Sequence, residues 1–182
     1  MEGEKQLELR MYFFVPYNIS PIQQAIQAGH AALEFGAKYG TAGFFQEFVK
    51  DWKTWIILNG GTTNEKRDLD GIALGTLDQI GDSLLENEIP FSYFKEPDLN
   101  DTLTALCFIC DERVWDRENY PDFVDYVCDV NNLNVQDSIA VRVNPYEELI
   151  KEYSILYKGW VAMMGGEKNI FLRDLIRDKR LA

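Results

Sequence analysis

The alternation of apolar and polar positions divides the first 110 residues into four predicted strands and three predicted helices. The strands are apolar runs typical of buried sheet positions, at residues 7–16, 54–60, 89–94 and 102–110. The helices are predicted over residues 20–40, 42–53 and 64–88. This order predicts an α/β fold, a three-layer sandwich in which helices flank a mixed four-stranded sheet.

The first predicted helix has defined ends and two different faces. Ser20 suits the N-cap, Pro21 the first helical position and Gly40 the C-cap. An apolar face recurs at helical spacing, and we expect it to pack on the sheet. Its members are Ile22, Ile26, Gly29 and Leu33. The other side carries a polar stripe, which consists of Gln23, Gln27, His30 and Glu34.

His30 is the only histidine in the chain, and it lies on this stripe one helical turn before Glu34. Its simplest interpretation is a surface or half-buried histidine that is bonded to Glu34. A role in a functional site therefore needs a second cluster of polar residues near it.

Residues 111–182 are predicted to form an α-rich extension that packs on the core of residues 1–110 rather than an independent domain. A helix begins near Pro121, and residues 139–143 are a candidate fifth strand. Asn144 and Pro145 are suited to the start of another helix, since acidic residues follow them and favour the helix dipole. Gly165 and Gly166 are expected to end it.

Composition narrows the classes of function. The net charge of −12 over 182 residues argues against a generic nucleic-acid binder, which needs clustered Lys and Arg side chains. Residues 168–182 are locally basic, and we interpret them as a solvated helix end rather than a phosphate-binding tail. No apolar run approaches the ~20 residues that span a bilayer, and the first ten residues lack a signal-peptide core. We therefore expect a cytoplasmic protein with no membrane partner.

The cysteines do not predict a metal centre. Cys107 and Cys110 have the spacing of a metal or redox motif, but they lie in a predicted strand, where residues three apart point to opposite faces. The chain has only one further cysteine, Cys128, and one histidine. We expect three buried free thiols, no bound metal and no cofactor.

A second polar cluster lies in FKEPDLNDTLT, between two apolar strands. It contains Glu96, Asp98, Asn100 and Asp101. Carboxylates in loops at strand ends often act as bases or orient other groups. Proline, aspartate and asparagine also form ordinary solvated turns, so this interpretation stays open as well.

The two clusters together resemble the type 2 peptidyl-tRNA hydrolase family over about residues 7–110. The family's Gln-x-x-His-Ala pattern is matched by Gln27, His30 and Ala31. The family's short strand after an apolar-Pro step is matched by IPF at residues 89–91. Its acidic loop is matched at Asp98, and its Thr-x-Thr strand is matched by the stretch that contains Thr104. EPDLNDTLTAL also resembles proteins of this type from large tailed phages, which would place the protein in a host cytoplasm.

The sequence departs from the family pattern at a position that matters for catalysis. The family carries a catalytically important lysine where this chain has Gln23, and an amide supplies no positive charge. The acidic loop is also shorter and lacks the family's Thr-Gln and Pro-Gly steps. The family is usually basic where it meets tRNA, whereas this chain is acidic.

The resemblance implies hydrolysis of the ester that joins a peptide to the 3′ ribose of tRNA. Asp98 would orient or deprotonate water, and Thr104 would donate a hydrogen bond to the developing oxyanion. His30 or Gln27 would bind the terminal adenosine or the carbonyl, with Gln23 beside them.

Two other functions are kept as alternatives. One is a binding module that has lost catalysis and uses the same cleft for a protein or a nucleotide-like ligand. The other is a structural subunit whose extension mediates self-association. The partners implied are thus tRNA, a protein, or a second copy of the chain in a homodimer.

Overall fold

The computed structural model describes residues 6–143 and 145–182, and these form two compact units. One unit contains the described residues up to Glu112 together with Leu175–Ala182. The other is Arg113–Asp174. The sequence places the boundary at residue 110, and the structure also assigns the last eight residues to the first unit.

The first unit is built on a mixed four-stranded sheet, as the sequence predicts. Its strands are β1 (Leu9–Pro16), β2 (Thr54–Gly61), β3 (Phe91–Glu96) and β4 (Thr102–Asp111). Their order across the sheet is β2-β1-β4-β3. The β1–β2 pair is parallel, and β4 is antiparallel to both β1 and β3. The two edges of the sheet are therefore β2 and β3.

Helices cover both faces of this sheet, which confirms the three-layer sandwich. On one face lie α1 (Pro21–Tyr39), α2 (Gly43–Glu47) and a π-helical turn, Phe48–Trp52. Phe35 of α1 and Phe48 share a core there with Met11 and Phe13 of β1. On the other face lies α3 (Thr76–Glu86), whose buried positions include Leu77, Ile80 and Leu84.

The final residues of the chain cover the β2 edge. Leu181 forms an antiparallel bridge with Leu58. The backbone N–H of Asn59 donates to the carbonyl of Arg180 at 2.9 Å, and the N–H of Ala182 donates to the carbonyl of Ile57 at 3.0 Å. At β3, by contrast, the sheet of the described residues ends.

The predicted orientation of α1 is wrong. Ile22 and Leu33, which were expected to pack on the sheet, are 74% and 73% exposed. The helix instead buries a face of small and amide side chains, which are Gln24, Gln27, Ala28, Ala31 and the larger Phe35. Alanine lets the helix approach the sheet closely, and the two glutamines are buried because they find hydrogen-bond partners there.

The ends of α1 match the sequence prediction. The Ser20 hydroxyl accepts from the backbone N–H of Gln23 at 3.3 Å, and the Gln23 side chain accepts from the N–H of Ser20 at 3.0 Å. This reciprocal pair is a capping box, which satisfies two N–H groups that the first turn leaves without helical partners. Gly40 is the C-cap.

The helix predicted over residues 64–88 is much shorter, because only Thr76–Glu86 is helical. The preceding residues form a turn in which the Asp68 carboxylate accepts from the N–H groups of Asp70 and Ile72 at 3.0 and 2.9 Å. Gly71 in that turn has a φ of +81°, which lies outside the helical region. The glycines in this stretch thus mark a loop.

The predicted fifth strand at residues 139–143 is also wrong, since these residues end a helix, α5 (Val135–Val143). Asn134 begins this helix, because its side-chain oxygen accepts from the N–H of Asp137 at 3.0 Å. β-Branched residues predict a strand here, but the cap at Asn134, five residues before Ile139, decides the local structure.

The second unit is helical. Its helices are α4 (Phe123–Val130), α5, α6 (Tyr146–Glu152), α7 (Ser154–Met163) and the greater part of α8 (Glu167–Ile176). The Asn144 proposed as a helix cap lies outside the described residues. The single helix predicted from Asn144 and Pro145 to the Gly165-Gly166 step is instead two helices, α6 and α7, which are separated at Tyr153. Gly165 and Gly166, with φ of +81° and +107°, end the second of them.

The Arg173 side chain is 1% exposed and joins several segments of this unit by hydrogen bonds. Its Nε donates to Asp122 at 2.6 Å, and its terminal nitrogens donate to the carbonyls of Arg113 and Tyr120 at 3.0 and 2.7 Å. The interpretation of residues 168–182 as solvated is therefore wrong for Arg173. A buried guanidinium needs such a full set of partners, since unpaired burial is costly.

In the part of the chain that the structure describes, no helix combines the length and the apolar character needed to cross a membrane.

Two glycine substitutions test the packing of the first unit: Gly29→Ala tests the corrected orientation of α1, and Gly60→Ala tests the close packing of β2 against α3. A Cβ added at Gly29 meets no described atom within 4 Å, so Gly29→Ala should raise the free energy of unfolding by ~0.5–1 kcal/mol through helix propensity. At Gly60, a Cβ would lie 2.6 Å from Leu77 Cδ1 and 3.1 Å from Phe14 Cβ, so Gly60→Ala should lower it by ~1–3 kcal/mol. Urea unfolding measures both, and a destabilising Gly29→Ala would contradict the orientation.

Candidate functional site

A β-bulge in β4 directs Thr104 towards α1. Phe94 of β3 pairs with Ala105 and Lys95 pairs with Leu103, so Thr104 has no partner of its own in β3. The extra residue places Thr104 and Ala105 on the same face of the sheet, the one that α1 covers. Bulges of this kind redirect a side chain locally and are frequent beside functional sites.

Thr104, Gln27 and Glu96 form one hydrogen-bonded cluster that joins α1, β3 and β4. The Thr104 hydroxyl donates to Gln27 Oε1 at 2.7 Å. Gln27 Nε2 donates to Glu96 Oε2, also at 2.7 Å. Thr104 and Gln27 are 2% and 7% exposed, whereas Glu96 is half-buried. The buried amide is thus held at both ends, and the carboxylate is held at one.

His30 lies one helical turn beyond Gln27 and stacks on Phe94. The two ring centroids are 4.4 Å apart, with 19° between the planes. His30 is half-buried, and Phe94 also belongs to the wall of a cleft of about 590 Å³. Glu34, Lys38 and the buried Ser92 line the same cleft. The predicted polar stripe of α1 therefore borders the edge strand β3.

The structure brings together two of the five predicted site residues directly, Gln27 and Thr104, with His30 one turn away. Asp98 lies on an exposed 3₁₀ turn, Pro97–Leu99, two residues beyond Glu96. Gln23 is exposed at the start of α1, where its side chain is used in the capping box.

The carboxylate beside Gln27 is Glu96, and sequence reasoning did not single it out from the acidic loop. Its position at the end of β3 is the signal that could have identified it, because a residue at a strand end is held more firmly than one in the following turn. Phe94, the stacking partner of His30, lies in a stretch that the sequence predicts only as an apolar strand.

The cysteines are buried, as predicted. The Cys107 thiol donates to the carbonyl of Ala31 at 3.2 Å, and burial raises its pKa to about 12. Burial also raises the pKa of Cys110 well above its usual value. Thiols in this state are poor nucleophiles near neutral pH. Among residues 6–143 and 145–182, no group of three or more His, Cys, Asp or Glu side chains is placed to hold a metal ion.

No protein-family model matches this chain, and no curated protein sequence matches it significantly. The resemblance to type 2 peptidyl-tRNA hydrolases therefore rests on the residues and the order of elements described above.

The cluster can be tested by a double-mutant cycle. Thr104→Val leaves the buried oxygen of Gln27 without a donor and should lower the free energy of unfolding by ~1–3 kcal/mol. Gln27→Leu removes the nearer acceptor of the Thr104 hydroxyl, which can still donate to the carbonyl of Phe94 at 3.3 Å, and it removes the donor to Glu96, so it should also destabilise. The double variant should lose clearly less than the sum, because no buried partner is then left unpaired. Additive losses in urea unfolding would show that the two side chains are not coupled.

Proposed function

We propose that this protein is a peptidyl-tRNA hydrolase-like esterase whose site is formed by Gln27, His30 and Glu96, next to the cleft that Phe94 lines. The observation that carries the proposal is the convergence of a carboxylate, an amide and an imidazole from α1 and β3 at one edge of the sheet. These groups supply a base, a hydrogen-bond donor and a ring surface, which are the functions that hydrolysis of a tRNA ester needs.

In the proposed reaction, Glu96 accepts a proton from water as the water oxygen attacks the ester carbonyl. The carbonyl π electrons move to its oxygen, and an N–H of Gln27 that does not bond Glu96 stabilises this oxyanion. When the tetrahedral intermediate collapses, the bond to the ribose oxygen breaks. The proton held by Glu96 passes to that oxygen, so the products are a free peptide acid and a tRNA 3′ hydroxyl.

The role of Thr104 in this proposal differs from that expected from the sequence. Its hydroxyl is buried and donates to Gln27 Oε1, so it orients the amide rather than touching the substrate. His30, stacked on Phe94, offers a flat surface for the terminal adenine. Stacking of a base on a protein ring contributes ~1–3 kcal/mol, and a cleft of about 590 Å³ is large enough for a nucleoside.

A binding module is the second candidate, and one observation favours it. Gln27 and Thr104 satisfy each other inside the protein, and no cationic side chain contacts Glu96 within the described residues. A site of this kind could bind a nucleotide-like ligand through His30 and Phe94 without activating water. Binding of a tRNA 3′-end analogue without turnover would favour this candidate.

Replacement of the proposed base tests the hydrolase assignment. We expect Glu96→Gln to lower the rate of peptidyl-tRNA hydrolysis by ~100-fold or more, the usual contribution of a general base. Asp98→Asn is the matched control, because it removes one negative charge two residues away on the exposed turn; it should change the rate less than ~10-fold. The measurement is release of peptide from purified peptidyl-tRNA. A greater loss of hydrolysis rate in Asp98→Asn than in Glu96→Gln would show that Asp98, not Glu96, is the base.

Introduction of a cation tests the consequence of the missing lysine. We expect weak hydrolysis by the unmodified protein and an increase of ~10-fold or more in Gln23→Lys, because a fixed charge near developing negative charge contributes up to ~100- to 1000-fold. Ile22→Lys is the control: it adds the same charge at an exposed neighbouring position that takes no part in the capping box. The assay is run at low salt, where attraction of tRNA to lysine and arginine is least screened.

Three outcomes of this assay are distinct. Strong activity in the unmodified protein would show that the lysine is dispensable. Equal activation by Ile22→Lys would show a general effect of charge on tRNA capture. If neither variant hydrolyses the ester while both retain folded helix content, the binding module replaces the hydrolase.

A further inference from the structure

The outer edge of β3 carries backbone groups that can pair with another strand, although its first carbonyl, that of Phe91, already accepts from two side chains of α1. The carbonyl of Phe91 accepts from Lys38 Nζ and from the Tyr39 hydroxyl, both at 3.3 Å, so it points away from β4. In a strand, the N–H and C=O of every second residue point to the same edge. The backbone groups of Tyr93 and Lys95 therefore also point outward, and no described residue outside the sheet bonds the backbone of Tyr93.

This edge lacks the usual protection at its centre. Natural edge strands are commonly shielded by charges, proline, bulges or a covering segment. Lys95 gives one such charge, but its ammonium is paired with Glu65. At the middle of β3, Tyr93 presents an aromatic ring that is 50% exposed, and Leu85 of α3 is 69% exposed in the cleft beside it. The arrangement suits a strand that is covered in the assembled protein.

We infer that two copies of this protein form a dimer through antiparallel pairing of their β3 strands, with the twofold axis at Tyr93. A residue whose N–H and C=O both point outward forms a pair in which the opposed residues exchange both hydrogen bonds. Tyr93 is then opposite Tyr93 of the second copy, and Phe91 is opposite Lys95. The two four-stranded sheets become one sheet of eight strands, with both α1 helices on the same face.

Charge complementarity selects a second copy over another extended peptide. Lys38 Nζ and the Tyr39 hydroxyl bond the carbonyl of Phe91 in the single chain. In this register the N–H of Lys95 of the second copy replaces them at that carbonyl, which releases Lys38 Nζ beside Lys95 of the second copy. Glu96 is the next residue along, and its contact with Gln27 shows that its side chain lies on the α1 face, as Lys38 does. Lys38 of each copy therefore meets Glu96 of the other, and the twofold axis makes this ion pair twice.

The ion pair also places the Lys38 ammonium of one copy beside the Glu96 carboxylate of the other. Within the described residues of a single chain, no cationic side chain contacts Glu96. Any catalytic use of Lys38 rests on the proposed function, whereas the dimer does not. Oligomeric state and hydrolysis are separate measurements, so failure of one proposal is distinguishable from failure of the other.

The first test removes one outward N–H group. Tyr93→Pro should convert the dimer to a monomer in sedimentation velocity, because proline has no N–H to donate to the second copy. The fold should survive, since the N–H of Tyr93 makes no hydrogen bond to β4 and proline is tolerated on edge strands. Tyr93→Val is the matched control, since it also removes the ring but keeps the N–H, and it should retain a dimer. The buffer holds about 0.15 M salt to screen the repulsion between two chains of net charge −12. Far-UV circular dichroism confirms that each variant is folded.

The second test exchanges the charges and does not depend on proline. Lys38→Glu alone opposes two carboxylates across the axis, and Glu96→Lys alone opposes two ammonium groups, so each should dissociate at least ~10-fold more readily. An equimolar mixture of the two variants restores both ion pairs and should form a heterodimer with close to the unmodified affinity.

Three results would overturn the inference. The first is an unmodified protein that stays monomeric at the highest soluble concentration. The second is a folded Tyr93→Pro variant that dimerises as well as Tyr93→Val, which would place the interface elsewhere, for example on the exposed apolar face of α1. The third is a mixture of Lys38→Glu and Glu96→Lys that associates no better than either variant alone.

Discussion

Burial of the Gln27 amide is the interaction on which the arrangement of the first unit depends. An amide in the protein interior needs a donor for its oxygen and an acceptor for its N–H groups, or it loses ~1–3 kcal/mol. The bulge in β4 supplies the donor through Thr104, and the end of β3 supplies the acceptor through Glu96. Both partners lie at one end of the sheet, so they fix the rotation of α1 as well as its position.

This rotation of α1 explains why apolar side chains of the helix are exposed. Once Gln24 and Gln27 face the sheet, the side of the helix that holds Ile22 and Leu33 must face outward. Gln24 is satisfied in the same way, since its Nε2 donates to the carbonyl of Pro16 at 3.0 Å. Alanine at neighbouring positions provides the close approach that these short hydrogen bonds require. The exposed apolar residues are thus a consequence of satisfying buried polar groups.

The succession of strands and helices along the first unit, the mixed four-stranded sheet and the capping of α1 were predictable from sequence, because apolar runs, turn residues and Ser20-Pro21 indicate them. The face of α1 was not, because apolar periodicity assumes that buried means apolar. Hydrogen bonds from Gln27 to residues 69 and 77 positions away reverse that assumption. Thr104 was predicted from the family resemblance, but its direction depends on a bulge, which is a property of strand pairing that the sequence of one strand does not reveal.

The same long-range geometry favours Glu96 over Asp98 as the base in the proposed reaction. A general base must be held within a fraction of an ångström of its productive position, and supporting hydrogen bonds provide that restraint. Glu96 has such a bond at the end of a strand. Asp98 lies on a single 3₁₀ turn, followed by Asn100 and Asp101, both with positive φ. A carboxylate on that exposed turn can still attract or orient a ligand, but a defined proton transfer needs the more restrained group. The preference for Glu96 over Asp98 thus follows from how firmly each carboxylate is held.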